Sequence, residues 1–218
     1  MLWWVLPMAL AIVVSGAVTW GEATGEDRLR RPVGSPSAEP PRPDVLRGCR
    51  THVEGRPPPA DRRKDLIIGP VRFRGFRFYS RRAARGPRSD WFEIRNREYH
   101  SLKMVTEVRA GTDVIVAIAP ANRDSAGLLF DRNVRYGRWG IPWSEAEQVV
   151  RFRACAADRP ASSPRFYRRR TVGPWTQFNG GLMFTGPQCL RLDVYVRGRA
   201  TRRYVEPFAR PRKRCPAR

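Results

Sequence analysis

Four side chains in this 218-residue chain can form covalent cross-links, and 39 more can grip an anion. The four are Cys49, Cys155, Cys189 and Cys215; the 39 are arginines, accompanied by three lysines. No CxxC or CxxH spacing exists, and the two histidines, His52 and His100, stand apart from each other and are expected at the solvent surface. That pattern is disulfide chemistry, not zinc chemistry, and no metal or other cofactor is expected. Three connectivities are open. Cys155 ends one alternating segment and Cys189 begins another, both on the outward parity. Neighbouring strands would therefore pair Cys155 with Cys189, leaving Cys49 to tie an N-terminal spacer to the C-terminal Cys215.

The formal net charge is +22. Heavy arginine use beside alanine, glycine and proline fits a GC-rich genome, but codon usage does not account for the shortage of acids. A field this positive attracts polyanions. The excess lies from Lys64 onward, with short runs at Arg81-Arg82, Arg168-Arg169-Arg170, Arg202-Arg203 and Arg212-Lys213-Arg214. Arg168, Arg169, Arg170, Arg202 and Arg203 are the candidate anion-binding residues. The partners that fit are an anionic cell-envelope polymer, anionic lipid or an envelope protein; nucleic acid is not expected in an exported compartment. The bland alternative is a set of solvated loops and polar strand faces.

Catalytic chemistry is not visible. No serine sits in a GxSxG elbow. Asp90 and Glu93 could form a glycosidase-like carboxylate pair, but a chain with this many acids offers such pairs by chance. Asp131-Arg132-Asn133 begins like a calcium loop and then lacks the glycine and the terminal acid. The chain is not expected to be an enzyme.

The elements that would position these residues fall into three segments. Residues 1–23 hold an uncharged apolar run, Leu2 to Trp20, long enough to serve as a signal peptide or an N-terminal membrane anchor. Residues 24–63 carry eight prolines and read as a disordered, partly polyproline spacer, stapled at Cys49. Residues 64–218 read as the folded domain. Val71, Phe73, Phe76 and Phe78 alternate with arginines, and a bulge at Gly75 would keep all four inward. Ser101 to Arg109 alternates with Leu102, Met104, Thr106 and Val108 inward. Val114 to Ala119 is continuously apolar, as in a strand covered on both faces. Leu128 to Phe130 is a short strand, Asp131 to Trp143 a loop, and Ser144 to Gln148 a helical turn capped by Ser144. Gln148 to Cys155 is a strand with Val150, Phe152 and Ala154 inward. Ala156 to Gly173 is a long basic loop, and Arg202 to Phe208 a last strand.

Thr176 to Val196, TQFNGGLMFTGPQCLRLDVYV, organises the rest. It reads as a β-hairpin turned at Gly186-Pro187, with Leu190, Leu192, Val194 and Val196 on one face. Gly180-Gly181 marks a bulge or a close backbone approach. Many short strands and no long helical period predict an all-β, antiparallel β-sandwich, immunoglobulin-like in a loose sense, with a small barrel as the alternative.

The apolar N-terminus, the proline-rich spacer, DLIIGPVRF, VVRFRAC, the TQFNGG…LDVYV stretch and the terminal cysteine together resemble exported or membrane-anchored β-sandwich proteins of high-GC actinobacteria. The resemblance covers about Lys64 to Cys215. It implies an extracytoplasmic compartment and a β architecture, and it carries no activity or site residue. The expected role is binding within the cell envelope. The alternatives are an envelope-polymer hydrolase and a purely structural exported domain.

Overall fold

Period-two alternation along this chain becomes two sheets facing each other across one core. The computed structural model describes residues 39–51, 59–84, 99–131, 133, 141–157, 173–197, 199–209 and 215, with the backbone alone at 51 and 199–202. The strands are β1 Val45–Arg47, β2 Leu66–Ile68, β3 Val71–Phe73, β4 His100–Arg109, β5 Asp113–Ile118, β6 Ala126–Leu129, β7 Val149–Arg153, β8 Trp175–Phe184, β9 Gln188–Val196 and β10 Arg199–Phe208; the one helix, α1, is Phe76–Ala83. Sheet A has the order β1-β7-β5-β9-β10 and sheet B the order β2-β3-β4-β8-β6. All neighbours are antiparallel except β1 and β7. The result is an all-β sandwich; neither sheet closes into a barrel.

Inward residues of both sheets form a single cluster. Val114, Val116, Ile118, Val150, Phe152, Leu190, Leu192 and Val194 come from sheet A; Val71, Phe73, Leu102, Met104, Val108, Phe178, Leu182 and Phe184 come from sheet B. The parity expected for β4, β7 and β9 matches this burial. β5 is the middle strand of sheet A; Val114, Val116 and Ile118 enter the core, and Ala117 on the other face packs with Val149 and Tyr195.

Several expectations are corrected. The Thr176–Val196 stretch is not a hairpin: β8 belongs to sheet B and β9 to sheet A, so the chain arches across the core between them. Alternation is the same in either case. In a hairpin the two apolar faces point the same way; here they face each other. The Thr185 N–H donates to the Ser125 carbonyl at 3.0 Å, tying the arch to the turn before β6. Gly180-Gly181 is no bulge, since β4 and β8 pair from His100↔Phe184 to Arg109↔Trp175 without a shift. It is the close approach: a Cβ at Gly180 would run into the Phe130 ring.

Gly75 likewise makes no bulge. It sits at φ 69° and starts α1, whose first N–H groups, from Arg77 and Phe78, donate to the Lys64 carbonyl at 2.8 and 3.3 Å. Phe76 therefore enters the core, 5.2 Å from the Phe208 ring, while Phe78 points outward. The helical turn expected at Ser144 is a 3₁₀ turn over Trp143–Glu145, preceded by Pro142 and without a side-chain cap.

The spacer reading fails for its middle. Val45–Arg47 is the edge strand β1, stitched to β7 through the Asp44 carboxylate, which accepts the Gln148 and Val149 N–H groups at 2.7 and 2.9 Å. The disulfides also join different partners from those expected: Cys49 with Cys155, and Cys189 with Cys215. The parity argument took the strands of Cys155 and Cys189 as neighbours, and Cys155 lies just past the end of β7, buried. β5 lies between β7 and β9 and is antiparallel to both, so β7 and β9 run the same way. The end of β7 and the start of β9 are then at opposite ends of the sheet, beyond the reach of one disulfide.

Candidate anion-binding face

The outward side of sheet A collects arginines because β7, β9 and β10 carry them at outward positions. Arg151 and Arg153 leave β7, Arg191 leaves β9 with Arg197 just beyond its end, and Arg203 leaves β10. Arg123, in the turn after the 3₁₀ segment Pro120–Asn122, lies close enough to lower the Tyr195 phenol pKa from the same side. The outward strand positions of this sheet hold two carboxylates, Asp113 and Asp193, among the described residues. The floor between the strands is small and apolar: Ala117 and Val149 pack with Tyr195.

Both carboxylates clamp an arginine by two parallel hydrogen bonds. Asp113 accepts from Arg151 Nε and Nη2 at 2.9 and 2.6 Å, and Arg153 Nε lies 3.3 Å from the same carboxylate. Asp193 accepts from Arg203 Nε and Nη2 at 2.7 and 2.9 Å. A bidentate clamp fixes the plane of a guanidinium and leaves its Nη1 outside the pair, aimed but not occupied by that partner. The Arg151 hydrogen bonds hold the Asp113 carboxyl below its usual range, and burial pushes the Tyr195 phenol up, aided by Asp193 and opposed by Arg203 and Arg123. Arg123, Arg191 and Arg197 have no ion pair among the described residues. The face can thus present fixed donors and mobile positive charges together.

Of the residues singled out in the sequence, Arg203 is placed on this face but already paired with Asp193. Arg168, Arg169, Arg170, the Arg202 side chain, Asp90, Glu93 and His52 lie outside the described residues. His100 is not solvent-exposed as expected: it is half-buried at the start of β4, its ring 5.4 Å from that of Phe184. Trp143 and Trp175 do not converge. Trp143 packs 5.9 Å from Tyr99 beside Met183, and Trp175 lies at the other end of β8 beneath Arg72, whose guanidinium carbon is 4.2 Å from its ring centre. Eight residues of strand, about 27 Å, separate Trp175 from Met183.

Sequence reasoning missed the charges buried away from this face. Arg47 is 5% exposed and crosses from β1 to sheet B, where Nη1 donates to the Phe130 and Asn179 carbonyls. On the outer side of sheet B, Glu107 lies 2.8 Å from Arg72 and 3.6 Å from Arg74, and Arg74 also pairs with Asp65 at 2.9 Å. Glu147 accepts the Phe130 and Asp131 N–H groups, both at 2.8 Å. Alternation gives no signal for these, because ion pairs and backbone carbonyls recruit polar side chains regardless of period.

Burial pushes both Glu107 and Glu147 above the ordinary 4.5, against the pull of the arginines on one and the backbone N–H groups on the other. A raised carboxyl binds its proton more tightly folded than unfolded. Its contribution is full below the unfolded value and is lost as pH rises through the folded one. Asp113, lowered from 3.8, works the other way and loses its contribution as pH falls through its folded value. Thermal melts should show the midpoint climbing out of strong acid and then declining above about pH 4.5. In Glu147→Gln the decline should be shallower, whatever the constant offset; an unchanged slope would count against the assignment.

Two disulfides point to an oxidising, extracytoplasmic setting. Among the described residues no helix is long and apolar enough to cross a membrane, and Leu2–Trp20 lies outside them. No group of three metal-ligating side chains gathers among them either. Comparison with protein-family models, with curated proteins and with solved structures finds no match.

Proposed function

We propose that this chain is an extracytoplasmic binding domain whose ligand is a linear anionic polymer of the cell envelope, held on the outer face of sheet A. One observation carries the reading: Arg123, Arg151, Arg153, Arg191, Arg197 and Arg203 share one side of one sheet, with only Asp113 and Asp193 at its outward strand positions among the described residues. Strands spaced by about 4.8 Å set these charges out in a lattice, not a point, which suits a chain of repeated anions better than a single small ion. The clamped Arg151 and Arg203 offer oriented donors, and the other arginines add long-range attraction. The resemblance to exported actinobacterial proteins supports the envelope as the place of action, with the N-terminal apolar segment as anchor or cleaved signal.

The test uses poly(glycerol phosphate) as probe. Wild-type affinity should fall steeply as salt rises from low to about 0.5 M, because exposed charges are screened. Replacing Arg123, Arg191 and Arg197 together by glutamine should weaken binding at low salt by about 10- to 100-fold, near 1 kcal/mol or less per charge. Binding that ignores salt, or a triple variant that binds like wild type, sinks the proposal.

A further inference from the structure

At the end of the sandwich remote in sequence from that face, α1 and the turn before β2 bring cations together instead of spreading them. Arg77 Nη1 donates to the Arg62 carbonyl at 2.6 Å and Arg81 Nη2 to the Arg63 carbonyl at 2.7 Å. The helix thus sets two arginines against the backbone of the basic Arg62–Arg63–Lys64 run. Two carboxylates answer them: Asp61 lies 3.2 Å from Lys64, and Glu206 lies 2.9 Å from Arg77. Arg62, Arg63 and Arg81 are exposed. Exposed cations in such excess attract an anion to the corner.

The same corner exposes an aromatic ring. Along α1, Phe76, Tyr79, Ser80 and Ala83 face the protein, which turns Phe78 and Arg81 outward, while Arg77 is half-buried in its ion pair with Glu206. Phe78 is 38% exposed, one of two large apolar side chains so placed among the described residues, and its ring rests edge-on against Tyr79 at 5.4 Å. A soluble polyanion needs only the cations. A phenyl ring set among cations on one helix face matches a bilayer surface, where the ring enters the headgroup–acyl boundary and the cations meet anionic headgroups.

We propose that the α1 corner, Arg62, Arg63, Lys64, Arg81 and Phe78, docks the domain on an anionic lipid surface. This is a second surface, independent of the sheet A face, and it sets how the domain stands on the membrane while that face remains open to polymer.

The test is amide hydrogen exchange of the full chain incorporated in vesicles of phosphatidylcholine alone or with about 30% phosphatidylglycerol, which makes the readout independent of how the N-terminal segment partitions. Exchange across Arg62–Ala83 should slow at least five-fold in the anionic vesicles only, and recover in high salt. Arg62→Gln/Arg63→Gln/Arg81→Gln should abolish the slowing, the matching lysine triple should retain it, and Phe78→Ser should reduce it; the glutamine triple in sheet A should leave it intact. Peptides from β4 and β8 report that each variant is folded. Equal exchange in both vesicles, or slowing that survives the glutamine triple, overturns the proposal. So does equal slowing by soluble poly(glycerol phosphate) with no effect of Phe78→Ser, which would give the corner to a polymer.

Discussion

Removing the Cys49–Cys155 bridge as a pair, Cys49→Ala with Cys155→Ala, is expected to lower the unfolding free energy by about 4–5 kcal/mol, because the bridge closes a loop of 106 residues in the unfolded chain. The same double change at Cys189 and Cys215 closes only 26 residues and should cost about 3.5 kcal/mol. The first loss should also have a local signature that the second lacks. Cys49 follows β1, a three-residue strand held by one neighbour, and β1 carries Arg47 to the Phe130 and Asn179 carbonyls. Without the tether, fixing the β1 segment costs backbone entropy that three ladder residues offset only weakly. Its amides should exchange fast while those of β5 and β9 stay protected. Urea titration gives the magnitude, with an increased m-value as the unfolded chain expands. A loss below about 1 kcal/mol would mean that the bridge constrains nothing the fold does not already hold.

What could be read from the chain was whatever period and parity determine. The inward sets of β4, β7 and β9 follow from alternation alone, since a half-buried strand has no other way to sort its side chains. Parity, however, is blind to which sheet a strand joins. TQFNGGLMF and QCLRLDVYV have matching alternation whether they pair or face each other across the core, so the arch was read as a hairpin. The cysteine pairing fails for the same reason: strand order, not parity, decides which thiols meet. Gly75 shows a different limit. Val71-Arg-Phe-Arg-Gly-Phe-Arg-Phe is locally as good a strand as a strand followed by a turn and a helix. The choice falls to Phe76 reaching Phe208, a contact 132 residues away along the chain. The arginine face was legible as an excess of charge and not as a place. Its six members are scattered from Arg123 to Arg203, and only the sheet order β7-β5-β9-β10 assembles them.

Arg72→Met is expected to destabilise the domain by about 3–5 kcal/mol, since it strands a carboxylate that is 1% exposed. The pair is opposed across β3 and β4, Arg72 to Glu107, so neither side chain can swing away without breaking its strand's register. Arg74, at 3.6 Å, is too far to replace the 2.8 Å contact and is itself held by Asp65. Trp175 would lose the guanidinium stacked on it, a further term of about 1 kcal/mol. Arg72→Met with Glu107→Leu should recover most of the loss, because an apolar pair of similar volume needs no compensation for lost hydration. The double-mutant cycle from urea titrations then isolates the ion pair from the packing that each change disturbs. The pH dependence separates the two further. Burial already pushes the Glu107 carboxyl up, and Arg72 is the strongest opposing influence. Without it the folded pKa rises again, so in Arg72→Met the stability lost on going from pH 4 to pH 7 should exceed that of wild type. In acid, where Glu107 takes up a proton in both proteins, the penalty should shrink towards the loss of the Trp175 contact alone. A penalty that is small at neutral pH, or the same at both, would show that water reaches Glu107 and that the pair is a surface contact.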